Sequence, residues 1–310
     1  MAGLVDWPLE QIDPPVWRAH ARRDSPTDAN AEIDLEIMLD LADGLLEGVH
    51  PDAVGVSFGG PVDYASRVVR LSHHIPGWEE YPLGALLQEK YRCNVLIDND
   101  ANVAALGEFF FGAGKSCNSL FYITVSTGVG GGLILDQQIW HGADNMAGEI
   151  GHTVVDPLGP RCLCGKHGCV ERLASGLYIA EDARLLISQD MQNGPFLREL
   201  ANGNLESITA QLISRAAALN DPLAITLLDR AAHALGAGIG HAANLINPQR
   251  FILGGGVTKS GERFWEIIRQ TARQTALPQI RVEIVPAALE DYAPLWGAVA
   301  LADSWLSDPS

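Results

Sequence analysis

The chain has 310 residues, of which 47% are hydrophobic and 19% are charged, and this composition excludes a disordered or fibrous protein. Its formal net charge of −17 at pH 7 disfavours nucleic acid as a partner, because phosphate backbones are bound by clustered Lys and Arg. The sequence contains neither an apolar run of about 18 residues nor a signal-peptide pattern, so neither membrane association nor secretion is predicted.

The N-terminal third predicts short strands alternating with helices. Residues 2–6 and 16–23 are predicted as strands, and apolar residues at helical spacing predict a helix over residues 29–49. The apolar segment Ala53–Phe58 is predicted as a strand that runs into a glycine turn at residues 59–63. Because strands alternate with helices, the pattern predicts an α/β layer.

Three polar residues follow the next predicted strand. A helix over Leu83–Tyr91 leads to a strand over residues 94–97, and Asp98, Asn99 and Asp100 come directly after it. Open α/β sheets bind ligands at the carboxyl ends of their strands. Asn and Asp are also preferred helix N-caps, which is the alternative explanation. Since three such residues are adjacent, a ligand-binding role is predicted for Asn99 and Asp100.

A glycine-rich hairpin is predicted in the middle of the chain. The strand Leu120–Val125 is followed by a turn over residues 126–132, and the chain is predicted to return as a strand over residues 133–135. Because glycine has no side chain, a phosphate can approach the backbone N–H groups of such a turn. A plain hairpin turn without a ligand is the alternative. The predicted phosphate contacts are Thr127, Gly128, Gly130 and Gly131.

One histidine and three cysteines lie close together in the sequence. His152, Cys162, Cys164 and Cys169 offer one imidazole and three thiolates, which complete a tetrahedral Zn²⁺ shell without an open position. The predicted zinc is therefore structural. Core cysteines in a loop rich in turns and a disulfide are the alternatives, although three cysteines would leave one unpaired. Clustered thiols also indicate a reducing cytoplasm.

Two glutamates flank this cluster. Glu149 precedes His152 and Glu171 follows Cys169. A histidine that binds zinc through one ring nitrogen can offer its other N–H to an acceptor. Glu149, His152 and Glu171 are therefore predicted to form a hydrogen-bonding wall for a polyhydroxylated ligand. A solvated charge is the alternative for each glutamate.

The C-terminal half predicts mainly helices. A short strand over residues 251–253 ends in Gly254, Gly255 and Gly256. These glycines could either bind a ligand or allow a helix to pack closely on the strand. The predicted helices are residues 174–186, 205–218, 222–246, 264–275 and 292–305.

Two motifs in succession carry a family resemblance. Glu-x-Gly-His, ending at His152, is followed by Cys-x-Cys-Gly-x-x-Gly-Cys-x-Glu, ending at Glu171. This pair resembles the signature of the ROK family, which groups bacterial sugar kinases with sugar-responsive repressors. The turn at residues 59–63 and the segment at 73–78 resemble further family motifs, with His74 in place of an Asn.

The resemblance implies a two-domain α/β fold of the actin-like, ribonuclease H-like ATPase type, with a cleft between the domains. The implied smaller domain comprises residues 1–108 and 295–310. The implied larger domain comprises residues 109–294 and contains the zinc knuckle at 152–169. Family members commonly form dimers or tetramers, so a homo-oligomer is expected.

The implied activity is phosphorylation of a hexose by ATP, with Mg²⁺ on the phosphates. Glucose is the preferred substrate, and Asp100 accepts the proton of its 6-hydroxyl. The resemblance places adenine and ribose at Gly254, Gly255 and Gly256. It places the sugar at Gly60, Asn99, Asp100, Glu149, His152 and Glu171.

Three alternatives to a glucokinase remain. One is a kinase of an N-acetylated hexosamine, and another is the sugar-binding effector domain of a repressor. A third is an inactive relative, because the family's first phosphate-binding turn, Asp-x-Gly-Gly-Thr-Lys, is absent from this sequence. We expect the recorded start to lie downstream of the natural one.

Overall fold

The structure is a computed structural model that describes residues 1–6, 16–72 and 75–307. The chain divides into two compact units. The first unit comprises Met1–Ser116, Ile139–Ala147 and Tyr292–Ser310, and the second comprises Cys117–Gln138 and Gly148–Asp291. The domain limits drawn from the sequence stay a prediction.

Strands and helices alternate in the first unit, and helices dominate the second. The strands are β1 (Ala2–Leu4), β2 (Ala19–Ala21), β3 (Ala53–Phe58), β4 (Val62–Asp63), β5 (Val68–Val69), β6 (Asn94–Asn99), β7 (Leu120–Val125), β8 (Val129–Leu135), β9 (Gln138–Ile139), β10 (Arg250–Gly254) and β11 (Ile284–Pro286). The helices are α1 (Ala31–Leu46), α2 (Leu83–Tyr91), α3 (Asp100–Phe111), α4 (Val170–Ala174), α5 (Gly176–Gln189), α6 (Pro195–Leu200), α7 (Ala210–Ala218), α8 (Pro222–Leu245), α9 (Glu262–Thr275) and α10 (Ala293–Ser307).

The sheets place the ends of particular strands side by side. In the first unit, β3 pairs in parallel with β6, so that Phe58 lies opposite Asn99. In the second unit, the strand order is β11-β10-β7-β8-β9, with β7 parallel to β10 and antiparallel to β8. The carboxyl ends of β7 and β10 therefore meet at the same edge. β7 and β10 are almost wholly apolar and buried, as central parallel strands usually are.

The core of the first unit forms between its helices and the β3–β6 pair. Trp78 is 1% exposed and packs against Phe58, with ring centroids 5.1 Å apart. The predicted helix over residues 29–49 is the shorter α1. It begins after Asn30, whose side chain accepts the N–H of Ile33 at 3.0 Å. This N-cap satisfies a backbone donor that the first turn leaves open.

Helices α3 and α10 touch backbone to backbone within the first unit. A Cβ added at Gly297 would lie 1.7 Å from the carbonyl oxygen of Val103, and one added at Gly107 would lie 2.3 Å from that of Ala293. A contact with main-chain atoms cannot be relieved by a rotamer change. Both glycines are therefore required by the packing of these two helices.

Replacing Gly297 with Ala is expected to lower the free energy of unfolding by about 1–3 kcal/mol, because the added methyl group overpacks this contact. Gly44 is the matched control, since it also lies in a helix but has nothing within 4 Å of an added Cβ. Gly44→Ala is expected to raise stability by about 0.5–1 kcal/mol. Urea denaturation measures both. Equal changes in the free energy of unfolding of the two variants would show that the contact between Gly297 and Val103 is looser than described.

Two predicted helices are interrupted in the structure. The helix predicted over residues 174–186 begins only after Ser175, which ends α4 in an extended conformation and caps α5. The helix predicted over residues 205–218 is a 3₁₀ turn at Leu205–Ser207 followed by α7, which Thr209 caps. The short helix α6 was not predicted. Within the part of the chain that the structure describes, no helix is long and apolar enough to cross a bilayer.

Candidate functional site

The junction between β6 and α3 brings three predicted sugar-binding residues together in the first unit. The Asn99 side chain accepts the N–H of Ala101 at 2.9 Å, so it is the N-cap of α3. Its amide also donates to the carbonyl oxygen of Gly60 at 3.1 Å. Asn99 therefore caps the helix, which was the alternative explanation for this residue. The same side chain also binds the backbone of the glycine turn beside the junction.

Asp100 is the first residue of α3 and is exposed. Its Oδ2 atom lies 3.9 Å from the position of a Cβ added at Gly59, so the carboxylate is close to the glycine turn. A Cβ added at Gly60 would lie 2.4 Å from the carbonyl oxygen of Leu71. Packing alone thus requires Gly60, while Gly59 leaves room beside Asp100. The segment with His73 and His74 lies outside the described residues.

The predicted zinc ligands converge in the second unit. The ligand atoms of His152, Cys162, Cys164 and Cys169 all lie within 4.8 Å of one another. The sulfurs of Cys164 and Cys169 are 3.6 Å apart, close to the ~3.8 Å edge of a tetrahedron with Zn–S bonds of about 2.3 Å. All five cysteines are described, and none forms a disulfide.

The chemistry of the donor set fits zinc. The Nδ1 atom of His152 is buried and has no hydrogen-bond partner among the described residues, as a nitrogen reserved for a metal would be. Burial, followed by the hydrogen bond with Cys164, raises the pKa of Cys169 to about 12. A buried thiolate therefore needs a cation beside it, which Zn²⁺ supplies.

Tight backbone turns bring the ligands together. The N–H of Cys162 donates to the carbonyl oxygen of Lys166 at 2.8 Å, and Gly165 adopts a φ of +90° within this turn. Gly168 has a φ of +64°, and a Cβ there would lie 1.6 Å from the carbonyl oxygen of Asp156. Both positions favour glycine. The glycines around the cysteines are thus part of the cluster's geometry.

The zinc knuckle is anchored to α4 and α5. The N–H of Leu163 donates to the Tyr178 hydroxyl at 3.2 Å. Arg172 in α4 makes two hydrogen bonds to Asp182, at 2.9 and 2.8 Å, and Arg230 adds a third at 2.6 Å. Because Asp182 is largely buried, these bonds hold α4 and α5 in one arrangement.

His152 and Glu149 offer polar atoms beside the knuckle. Nε2 of His152 lies 4.0 Å from Oε2 of Glu149, and the two side chains are 34% and 47% exposed. With Nδ1 turned inward, Nε2 is the nitrogen available to a ligand. The structure therefore places the imidazole and one carboxylate of the predicted wall side by side.

Glu171 contacts the predicted phosphate hairpin. Its Oε2 atom accepts the N–H of Val129 at 3.0 Å. A Cβ added at Gly128 would lie 2.9 Å from the same oxygen. Glu171 thus connects α4, which follows the zinc ligands, to the tip of the β7–β8 hairpin, a contact that sequence reasoning missed.

The hairpin tip is shorter than the sequence predicts. The prediction that the second strand begins at residue 133 is wrong, because β8 already begins at Val129 and Gly130 and Gly131 pair with β7. A Cβ at Gly131 would lie 2.5 Å from the Phe121 ring, so close packing requires glycine there. Thr127 is exposed at the tip and Gly128 is half-buried.

The second predicted glycine turn lies next to this hairpin. Gly255 has a φ of +92°, and a Cβ there would lie 2.4 Å from the carbonyl oxygen of Val125. A Cβ at Gly254 would lie 2.4 Å from the Tyr122 hydroxyl, whereas one at Gly256 meets nothing within 4 Å. Close packing thus explains Gly254 and Gly255. The two turns predicted to bind ATP share the carboxyl edge of β7 and β10.

Sequence reasoning also missed a neighbour of the β6–α3 junction. His141 lies in the segment Ile139–Ala147, which belongs to the first unit, and its Nε2 atom is 2.6 Å from Oδ2 of Asp98. The two residues are 43 positions apart, so no spacing pattern connects them.

The fold and these clusters define a two-domain protein of the actin-like ATPase class. A model of the ROK family matches residues 19–304, and the chain belongs to this family. A glucokinase of Halalkalibacterium halodurans is 37% identical over 246 residues, which are 78% of this chain and 74% of that protein.

Two other relatives show the range of the family. The crystal structure of a ROK family glucokinase from Streptomyces griseus in complex with glucose and AMPPNP is 33% identical, covers 90% of each chain and has a TM-score of 0.78. A xylose repressor of Caldicellulosiruptor bescii is 30% identical over 81% of this chain but only 62% of its own length.

Proposed function

We propose that this chain is a hexose kinase that transfers the γ-phosphoryl group of ATP to the 6-hydroxyl of glucose. The observation that carries the proposal is the similarity, over nine-tenths of both chains, to the glucokinase that was crystallised with glucose and an ATP analogue. The residues predicted to bind sugar and ATP support it, because they form local clusters of the required chemistry.

Asp100 is the proposed general base. Its carboxylate accepts the proton of the 6-hydroxyl while that oxygen bonds to the γ-phosphorus and the bond to the ADP oxygen breaks. Mg²⁺, which arrives with ATP, neutralises charge on the phosphate oxygens. Asp100 suits the role because it is exposed at the start of a helix and lies beside a glycine turn.

The proposed sugar contacts come from two groups of residues. Gly60 and Asn99 belong to the β6–α3 junction, and Glu149, His152 and Glu171 belong to the knuckle and its flanks. Carboxylate oxygens accept hydroxyl protons, and the outward Nε2 of His152 provides a further polar atom. Since each hydroxyl of a polyol can donate as well as accept, both groups offer polar atoms that suit such a ligand.

The proposed ATP contacts lie at one edge of the second unit's sheet. Thr127 and Gly128 at the hairpin tip offer a hydroxyl and backbone N–H groups to phosphate. Gly130 and Gly131 follow within β8, where they pair with β7. Gly254, Gly255 and Gly256 form the proposed nucleoside turn.

His152, Cys162, Cys164 and Cys169 hold the structural zinc in this proposal. The metal supplies no chemistry to the transfer itself, because its four ligands leave no open position. Its role is to hold the loop from Glu149 to Glu171 in shape. The proposal also includes a cytoplasmic location, assembly into a dimer or tetramer, and domains of residues 1–108 with 295–310 and of residues 109–294.

A sugar-binding effector is the second candidate, favoured by the similarity to the xylose repressor. An assay of ADP release with glucose, N-acetylglucosamine and N-acetylmannosamine separates the possibilities. We expect turnover to be fastest with glucose. Glucose binding without ADP release would favour the effector.

A further inference from the structure

A buried carboxylate, that of Asp98, lies two residues before the proposed catalytic base. The Asp98 side chain is 2% exposed. Its Oδ1 atom accepts the N–H of Asn99 at 2.7 Å and the side-chain amide of Asn102 at 3.0 Å. Its Oδ2 atom accepts the Nε2–H of His141 at 2.6 Å. Since a buried polar atom without a partner is unfavourable, these three contacts satisfy the two oxygens of the buried side chain.

His141 is held on its edge and on its face. Asp98 binds one ring nitrogen, and the ring of Tyr64 stacks on the imidazole with centroids 4.5 Å apart and an interplanar angle of 25°. Burial, followed by the charge of Asp98, raises the pKa of Tyr64, so its phenol stays neutral at physiological pH. The His141 side chain is 20% exposed, so most of its surface is covered by protein.

The orientation of Asp98 affects where Asp100 lies. Through Oδ1, Asp98 holds the backbone of Asn99 and the side chain of Asn102 in the first turn of α3. Among the described residues, His141 is the donor that fixes the opposite oxygen, Oδ2. Rotation of this carboxylate would change the backbone geometry of the β6–α3 junction. Asp100, the first residue of α3, would move with that junction.

The body of α3 does not depend on His141. Its backbone packs on α10 at Gly107 and Gly297. Loss of the histidine hydrogen bond should therefore change the geometry of the junction and leave the helix in place. This separates a positioning role from a purely structural one.

We propose that His141 is a positioning residue that acts through the Asp98 carboxylate to orient Asp100 for the transfer. This inference rests on the proposed kinase function. A displacement of about 1 Å in a reacting group is enough to lower a rate by ~10²-fold. His141 therefore affects kcat, while sugar binding and folding depend mainly on other contacts.

His141→Phe and His141→Gln form the test. Phe keeps a ring on Tyr64 but removes the donor, whereas the Gln amide can place an N–H near the Nε2 position. We expect His141→Phe to lower kcat by ~10²-fold, with the glucose dissociation constant and the melting temperature nearly unchanged. We expect His141→Gln to recover at least about a tenth of wild-type kcat. His241→Phe, an exposed position on α8, is the matched control and should leave kcat unchanged.

Several results would overturn the inference. These are an unchanged kcat in His141→Phe, no rescue by Gln, or equal losses of kcat, glucose binding and stability.

If His141→Phe does not fold, His141→Gln is compared with and without Asp98→Asn. The inference expects no added loss in the Asp98→Asn background, and additive losses would contradict it. A wild-type protein without hexose turnover would contradict the proposed function itself, which distinguishes that failure from the others.

Discussion

Replacing Asp100 with Asn is expected to lower kcat by about 10²–10⁴-fold, the usual contribution of a general base. The amide cannot accept the hydroxyl proton at neutral pH, but it keeps the size and the hydrogen-bonding shape of the carboxylate. Asn is also tolerated at a helix N-terminus, so α3 should remain intact. The affinity for glucose is therefore expected to stay nearly the same. Steady-state kinetics and calorimetric titration with glucose measure the two quantities.

Asp28→Asn is the matched control, because Asp28 is exposed and precedes α1 in the chain. It should leave both kcat and glucose affinity unchanged. Normal turnover in Asp100→Asn would remove Asp100 as the base. An equal loss of turnover and glucose binding would show that Asp100 mainly holds the sugar.

Replacing Cys164 with Ser is expected to release the zinc. Binding of a structural zinc is worth about 10–16 kcal/mol in small zinc peptides, so the loss of one thiolate should destabilise the knuckle by several kcal/mol. The loop that carries Glu149 and Glu171 should loosen, and turnover should fall with it. Atomic absorption measures the metal content, and thermal melting measures the stability.

Cys93→Ser is the control for this substitution, because Cys93 lies outside the ligand cluster. It should retain one zinc per chain. An unchanged metal content in Cys164→Ser would refute the four-residue ligand set. Metal loss with unchanged stability and turnover would refute the scaffolding role.

Local sequence signals predicted many elements well. The segments Ala53–Phe58, Leu83–Tyr91 and Leu120–Val125 have the predicted bounds, because apolar continuity or helical spacing ends there at clear turn signals. The family resemblance and the fold class are confirmed by the family match and by the similar structures. The convergence of His152, Cys162, Cys164 and Cys169 could be predicted because they lie close together in the sequence.

Tertiary packing explains where the sequence misled. Gly130 and Gly131 were predicted in a turn because glycine usually marks one, but both belong to β8. At Gly131 the Phe121 ring leaves no space for a side chain. Thr209 interrupts a predicted helix because it caps α7. The start of α6 was signalled by Gly194 followed by Pro at the first helical position, a pattern that helical periodicity does not detect.

The contacts that organise the separate clusters of the two units are long-range and could not be predicted from residue spacing. Glu171 reaches the N–H of Val129 across 42 positions, and His141 reaches Asp98 across 43. From the sequence alone, either residue could be a solvated side chain or a functional one. Only the folded backbone brings the partners within hydrogen-bonding distance.

The most direct test of phosphoryl transfer to glucose is to measure both products in one reaction. The protein is incubated with glucose and Mg-ATP, and ADP and glucose 6-phosphate are quantified together. We predict that the two form in equal amounts and that both are nearly lost in Asp100→Asn. Glucose that binds but is never phosphorylated, or ADP that forms without the sugar phosphate, would contradict the assignment.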